Sequence, residues 1–184
     1  MIMLQPRQRS AIKGQTFGAR GDSCSCDPCD CNPCKCGDSL QPNYPTWRVS
    51  GYYIRSGILD QQQFSKHIVL SLAQPARPDS YEDWQEVLLV QNDTPLKLVE
   101  TLLRLFEHEL ESMPAELSPQ PRVKRAVYRA AIDYHITEQG PQLRVAFQPE
   151  SGNLVRVGSG QQQLRAWIYD GPMALRGNFS LATA

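Results

Sequence analysis

Outside one stretch of thirteen residues this chain has no cysteine, although it is 184 residues long and contains six of them. That excludes a disulfide framework of the usual kind, because no second cysteine-bearing segment exists to be stapled to the first. Histidine is scarce: there are three, and His67, His108 and His135 lie far apart. Neither sign of charge dominates, since 19 lysines and arginines balance 19 aspartates and glutamates. A basic footprint for nucleic acid or an anionic membrane surface is therefore missing. Also missing is an apolar run long enough to span a membrane, and MIMLQPRQRSAIKGQTFGARGD has no apolar core of the signal-peptide kind. From these absences we expect a soluble protein of the reducing cytoplasm, with no nucleic-acid partner and no membrane.

What is present is concentrated in SCSCDPCDCNPCKCGD, where Cys24, Cys26, Cys29, Cys31, Cys34 and Cys36 follow a five-residue repeat, Cys-x-Cys-(Asp/Asn)-Pro. Side chains at i and i+2 of an extended stretch point to one side, so each Cys-x-Cys pair offers two sulfurs together. Asp27-Pro28 and Asn32-Pro33 favour turns after each pair, and the residue before a proline is pushed out of the helical region. Six sulfurs can thus converge without help from the rest of the fold. With no histidine nearby the donor set is all thiolate, which suits Zn, Cu(I) or an iron–sulfur cluster. Zinc takes four ligands, so six thiolates suit two zincs sharing sulfurs, or one zinc with two sulfurs to spare. Cu(I) takes fewer, and a small thiolate-bridged cluster would use all six. Cys26, Cys31 and Cys34 match a C-x4-C-x2-C spacing, but that iron–sulfur arrangement needs a distant fourth cysteine, and none follows Cys36. Cu(I) and Zn fit equally, and iron–sulfur fits less well.

The even count also permits internal disulfides, yet a Cys-x-Cys bridge closes a very small, strained ring. A redox dithiol is a further reading, through Cys26-x-x-Cys29 or Cys31-x-x-Cys34. Neither precedes a convincing helix. The leading expectation is a metal-binding protein for storage, buffering or delivery, with the metal ion as cargo and a metal donor or acceptor protein as partner. The alternatives are a thiol–disulfide or peroxide redox protein and an interaction module ordered by metal. Six sulfurs leave no open coordination position for substrate, and Glu107, Glu109 and Glu111 read as a solvated helix end rather than a tuned acid/base pair, so no catalytic residue is assigned. Gly37-Asp38-Ser39-Leu40, Arg20-Gly21-Asp22 and Gly158-Ser159-Gly160 spell familiar motifs but lack the context each motif requires. The basic run Arg122, Lys124, Arg125 and Arg129 reads as the wet face of a strand.

The chain divides into a mobile N-terminal arm over residues 1–22, the Cys-rich segment and linker over 23–43, and a folded domain over 44–184. TWRVSGYYI, KHIVLSLA and WQEVLLV are strand-like, rich in β-branched and aromatic residues between turn signals. Thr94 and Pro95 begin a helix with Val99, Leu102, Leu103, Phe106 and Leu110 on one face, stopped by Pro114. RAVYRAAIDYHIT, QLRVAFQ, LVRVG, QLRAWIYDG and ALRGNFSL supply later strands. The expectation is α+β, a mainly antiparallel sheet with one long helix packed on it.

The order of these parts, from the CxC segment through WRVSGYYIRSG, IVLSLA, WQEVLLV and LKLVETLLRLF to RAVYRAAIDY, resembles an uncharacterised bacterial family known as domain of unknown function 1326. The likeness covers about residues 23–170. It implies a small soluble bacterial domain, with Cys24, Cys26, Cys29 and Cys31 as the closest matches to the family's thiols. This chain departs from the family pattern in having three Cys-x-Cys pairs, and Cys34 and Cys36 have no counterpart in it.

Overall fold

The runs IVL and VLLV are apolar at consecutive positions, which a strand wetted on one face does not need. In the computed structural model, which describes residues 9–22, 45–75, 84–107, 125–158 and 164–183, both are strands covered on both faces. The elements run β1 (Ala11–Asp22), β2 (Pro45–Leu59), β3 (Gln62–Gln63), β4 (His67–Pro75), β5 (Trp84–Gln91), α1 (Leu96–Glu107), β6 (Ala126–Thr137), β7 (Gly140–Phe147), β8 (Leu154–Arg156), β9 (Trp167–Pro172) and β10 (Ala174–Ala182). The sheet order is β10-β1-β2-β4-β5-β6-β7-β9, with β3 added to β2 and β8 to β6. Every pairing is antiparallel except β5 with β6, which α1 joins by a crossover.

Two cores result. On one face α1 lays Leu98, Val99, Leu102, Leu103, Leu105 and Phe106 against Tyr52, Ile54, Val69, Leu88, Val90 and Val127. Phe106 stacks at a tilt on Tyr52, with ring centroids 5.0 Å apart. Over the other face the second half of the sheet curls round. Leu143, Val145, Phe147 and Trp167 then meet Phe17, Val49, Ile68, Leu70, Leu72, Val87 and Leu89. Alternation along β4 and β5 sends Ile68, Leu70, Val87 and Leu89 to this core and Val69, Leu88 and Val90 to the helix side, which explains the unbroken apolar runs. The curl turns at Met173, the single residue between β9 and β10, which is buried and donates its N–H to Pro141 O at 2.9 Å. The chain thus passes at one residue from the last strand of the sheet order to the first.

This corrects the expected α+β class. Strands make up 68% of the described structure, around a single short helix of 12 residues, and the sheet curls into a half-barrel rather than lying flat beneath one long helix. The helix begins after Thr94 and Pro95, but Thr94 is buried with an Oγ1 that makes no hydrogen bond, so it is no side-chain cap. Leu110 and Pro114, read as the helix's last apolar position and its stop, lie outside the described residues.

The second difference concerns residues 11–22. The glycine-rich, polar composition of AIKGQTFGARGD assigns them to the mobile arm, yet they form β1, which pairs with both β2 and β10. At Gly18 a Cβ would meet only the movable end of the Arg176 side chain, but Gly14 is there because a side chain does not fit: a Cβ would run into the Tyr53 carbonyl. Gly51 opposite Phe17 works in the same way, leaving room for the ring that stacks on Tyr134 at 4.7 Å.

Candidate functional site

All six candidate ligands, Cys24, Cys26, Cys29, Cys31, Cys34 and Cys36, lie outside the described residues. The structure does define the two strand ends that carry them. β1 and β2 are an antiparallel pair from Ala11↔Ile58 down to Gly21↔Trp47 and Asp22↔Pro45. The Cys-rich segment is therefore the connection of a hairpin whose stem is paired to its last residues, so the folded sheet has already brought the two ends of the segment together.

Aromatic side chains gather at the base of this stem. Trp47 packs edge-on against Trp167 and Tyr169, at 5.1 and 5.3 Å, and the latter two stack at 5.8 Å. Such pairs contribute about 0.5–1.5 kcal/mol each beyond their buried area. Trp167 is buried, and its Nε1–H has no acceptor among the described residues. The Tyr169 hydroxyl donates to Pro172 O at 2.5 Å. Burial raises the Tyr169 phenol above its ordinary 10.0. It does the same for Tyr134, where the neighbouring Tyr53 adds to the effect and Arg55 opposes it.

The sign follows from linkage. The unfolded chain releases these protons near 10.0 and the folded chain only at higher pH. Their contribution to stability is whole below pH 10 and is lost as pH rises through the raised folded values. Urea midpoints of the wild type are expected to fall more steeply above pH 10 than those of Tyr169→Phe, with the two curves parallel between pH 7 and 9. Curves that stay parallel throughout would show that burial does not hold this phenol protonated.

The histidines fill local roles. His67 stacks on Phe64 at 4.1 Å and its Nδ1 lies 2.7 Å from Ser65 O, while His135 faces Asp133 at 4.0 Å on an exposed strand face. His108 lies outside the described residues. Among the described residues no three His, Cys, Asp or Glu side chains converge as a metal site would require. Arg125 departs from its reading as part of a wet strand face. Its Nη1 lies 2.5 Å from Glu86 Oε2, and the Glu86 side chain, 1% exposed, also accepts from Ser71 Oγ. β6 enters the sheet here with Ala126, Val127 and Tyr128 all buried, so this end of the strand has no wet face.

The structure adds a groove that the sequence reading did not contain. It has a volume of about 490 Å³ and lies on the outer face of β6, β7 and β9, walled by the turn Gln91-Asn92-Asp93. Register puts Asp133 opposite Arg144 and Arg144 opposite Asp170, with Ala131, Ala146 and Ile168 as the next row toward the turn. Arg144 Nε bonds Asp170 Oδ2 at 3.0 Å.

No protein-family model, curated protein or solved structure matches this chain. The likeness to domain of unknown function 1326 thus rests on motif order alone. Among the described residues no helix is long and apolar enough to cross a membrane.

Two features of the site were not legible in advance. The aromatic group draws one member from β2 and two from β9, separated by more than a hundred residues, and only the curl brings them together. Alternation within AWIYDG shows that Ile168 and Asp170 share a face. The partners across that face depend on register, which no local pattern encodes.

Proposed function

We propose that this chain is a metal-binding protein whose Cys24–Cys36 segment holds Cu(I) or Zn as an all-thiolate cluster, for storage, buffering or delivery in the cytoplasm. The observation that carries the reading is six cysteines in thirteen residues, in a turn-punctuated Cys-x-Cys repeat, placed on one hairpin connection. Thiolates are soft donors, and a reducing compartment keeps them available to a soft or borderline ion. Asp27 and Asp30 add negative field to the segment and Lys35 offsets part of it.

Anaerobic purification followed by elemental analysis and native mass spectrometry tests this reading. We expect Cu(I) or Zn bound to the folded chain, with protons released as thiols become thiolates. Six free thiols and no bound metal, after both ions have been supplied in turn, would overturn it.

A further inference from the structure

Past the end of β5, one edge of β6 has no strand beside it. The two pair only over Val87–Gln91 and Ala126–Ala130, whereas β6 continues to Thr137 with β7 on its other side. Two carbonyls of the open edge are taken locally. Ala130 O accepts from Asn92 N at 3.2 Å, and Ile132 O accepts from Gln91 Nε2 at 3.3 Å. Main-chain groups alternate between the two edges of a strand, so those of Tyr134 and Ile136 point the same way as Ile132 O. The register agrees, since Ile136 lies opposite Pro141, a residue with no N–H to give. Among the described residues no strand meets the Tyr134 and Ile136 groups.

The groove lies beside this edge. Its floor is Ala131, Ala146 and Ile168, the last 73% exposed, a strip suited to the methylene stem of a long side chain. Its charged groups are Asp93, Asp133 and Asp170 against Arg144, which is already bonded to Asp170. The balance is two carboxylates in excess. Charges on an exposed edge ordinarily deter pairing with other strands. An edge guarded by carboxylates deters acidic and neutral strands and favours basic ones.

We propose that the β6 edge and this groove take an extended peptide bearing lysine or arginine, added to the sheet as a further strand. Its main chain bonds the Tyr134 and Ile136 groups. A basic side chain on the outer face lies over Ala131, Ala146 and Ile168, with its head among Asp93, Asp133 and Asp170. Affinity then comes from the main chain and selectivity from alternate side chains, as in strand addition generally. This site shares no residue with the thiolate segment and does not depend on metal.

Fluorescence anisotropy with a labelled hexapeptide, Thr-Arg-Val-Arg-Val-Thr, tests the proposal on the full chain. We expect saturable binding, at least tenfold weaker for the same peptide with glutamate in place of arginine. N-methylation at alternate residues should abolish binding in one of its two phases. The double substitution Asp93→Asn, Asp133→Asn should weaken binding about threefold to tenfold, the range for two exposed ion pairs. Both positions are exposed, and an unchanged thermal melt confirms the fold. Absence of binding, or binding indifferent to N-methylation in both phases, overturns the proposal. Competition by free arginine methyl ester as effective as by the peptide also overturns it, assigning the groove to small organic cations.

Discussion

Replacing all six cysteines by serine is expected to take bound metal from its full stoichiometry to none and to leave the fold standing. Among the described residues both cores are built without a cysteine, and the substitutions keep the length of the connection between Asp22 and Pro45, so the entropy of closing that hairpin is unchanged. Substitutions away from packed or buried features shift stability by about 0.5 kcal/mol or less. Urea midpoints of the serine variant and of the metal-free wild type should therefore coincide.

A second consequence separates this protein from a zinc finger. A ligand that binds only the folded state at a hundred times its Kd adds about 2.7 kcal/mol of stability. Here all six sulfurs lie within thirteen residues, so on the proposed function the unfolded chain retains nearly the same donor set and would bind metal too. Binding to both states cancels most of the linkage. Metal should raise the urea midpoint of the wild type only slightly. A rise worth several kcal/mol would mean that the folded domain supplies ligands or contacts of its own, and a serine variant that still loads metal would remove the cysteines from the site altogether.

The parts of this fold that sequence reveals are those in which local chemistry and tertiary position agree. β4 and β5 are β-branched and apolar because both their faces are buried, and Pro95 opens α1 where a missing N–H costs nothing. β1 was hidden for the opposite reason. Gly14 and Gly18 weaken strand propensity locally, and at Gly14 the backbone of the neighbouring strand requires the glycine. The overall class is hidden on the same ground. The amphipathic pattern of α1 stands out in a sequence, whereas the sheet's curl depends on a one-residue corner at Met173 and on cross-strand register. The cysteine repeat stands out in the sequence because residues adjacent in the chain need no fold to bring them together, and it lies outside the described residues. The groove draws on β6, β7, β9 and a turn after β5, and does not stand out.

Arg125→Met is expected to be the most damaging single substitution we consider in the folded domain. The carboxylate of Glu86 sits on the helix side of β5, on the same face as Leu88 and Val90, with only 1% of its side chain exposed. Arg125 is an ion-pair partner of this buried carboxylate, and breaking a buried pair from one side costs up to about 3–5 kcal/mol. That is a large share of the 5–15 kcal/mol that holds a domain of this kind together. The pair itself contributes much less than its rupture costs, because burying two charges uses up most of the attraction between them. Arg125→Met combined with Glu86→Leu, which removes both charges and roughly keeps the volume, should therefore recover most of the loss. Urea denaturation of the two single variants and the double at pH 7 gives the coupling directly. A cost below about 1 kcal/mol for Arg125→Met would show that water or another donor reaches Glu86 and that the ion pair is not what settles the carboxylate there. If instead the single substitution is costly and the double is near wild type, the pair serves to fix β6 against β5, the one parallel junction in the sheet, rather than to add stability.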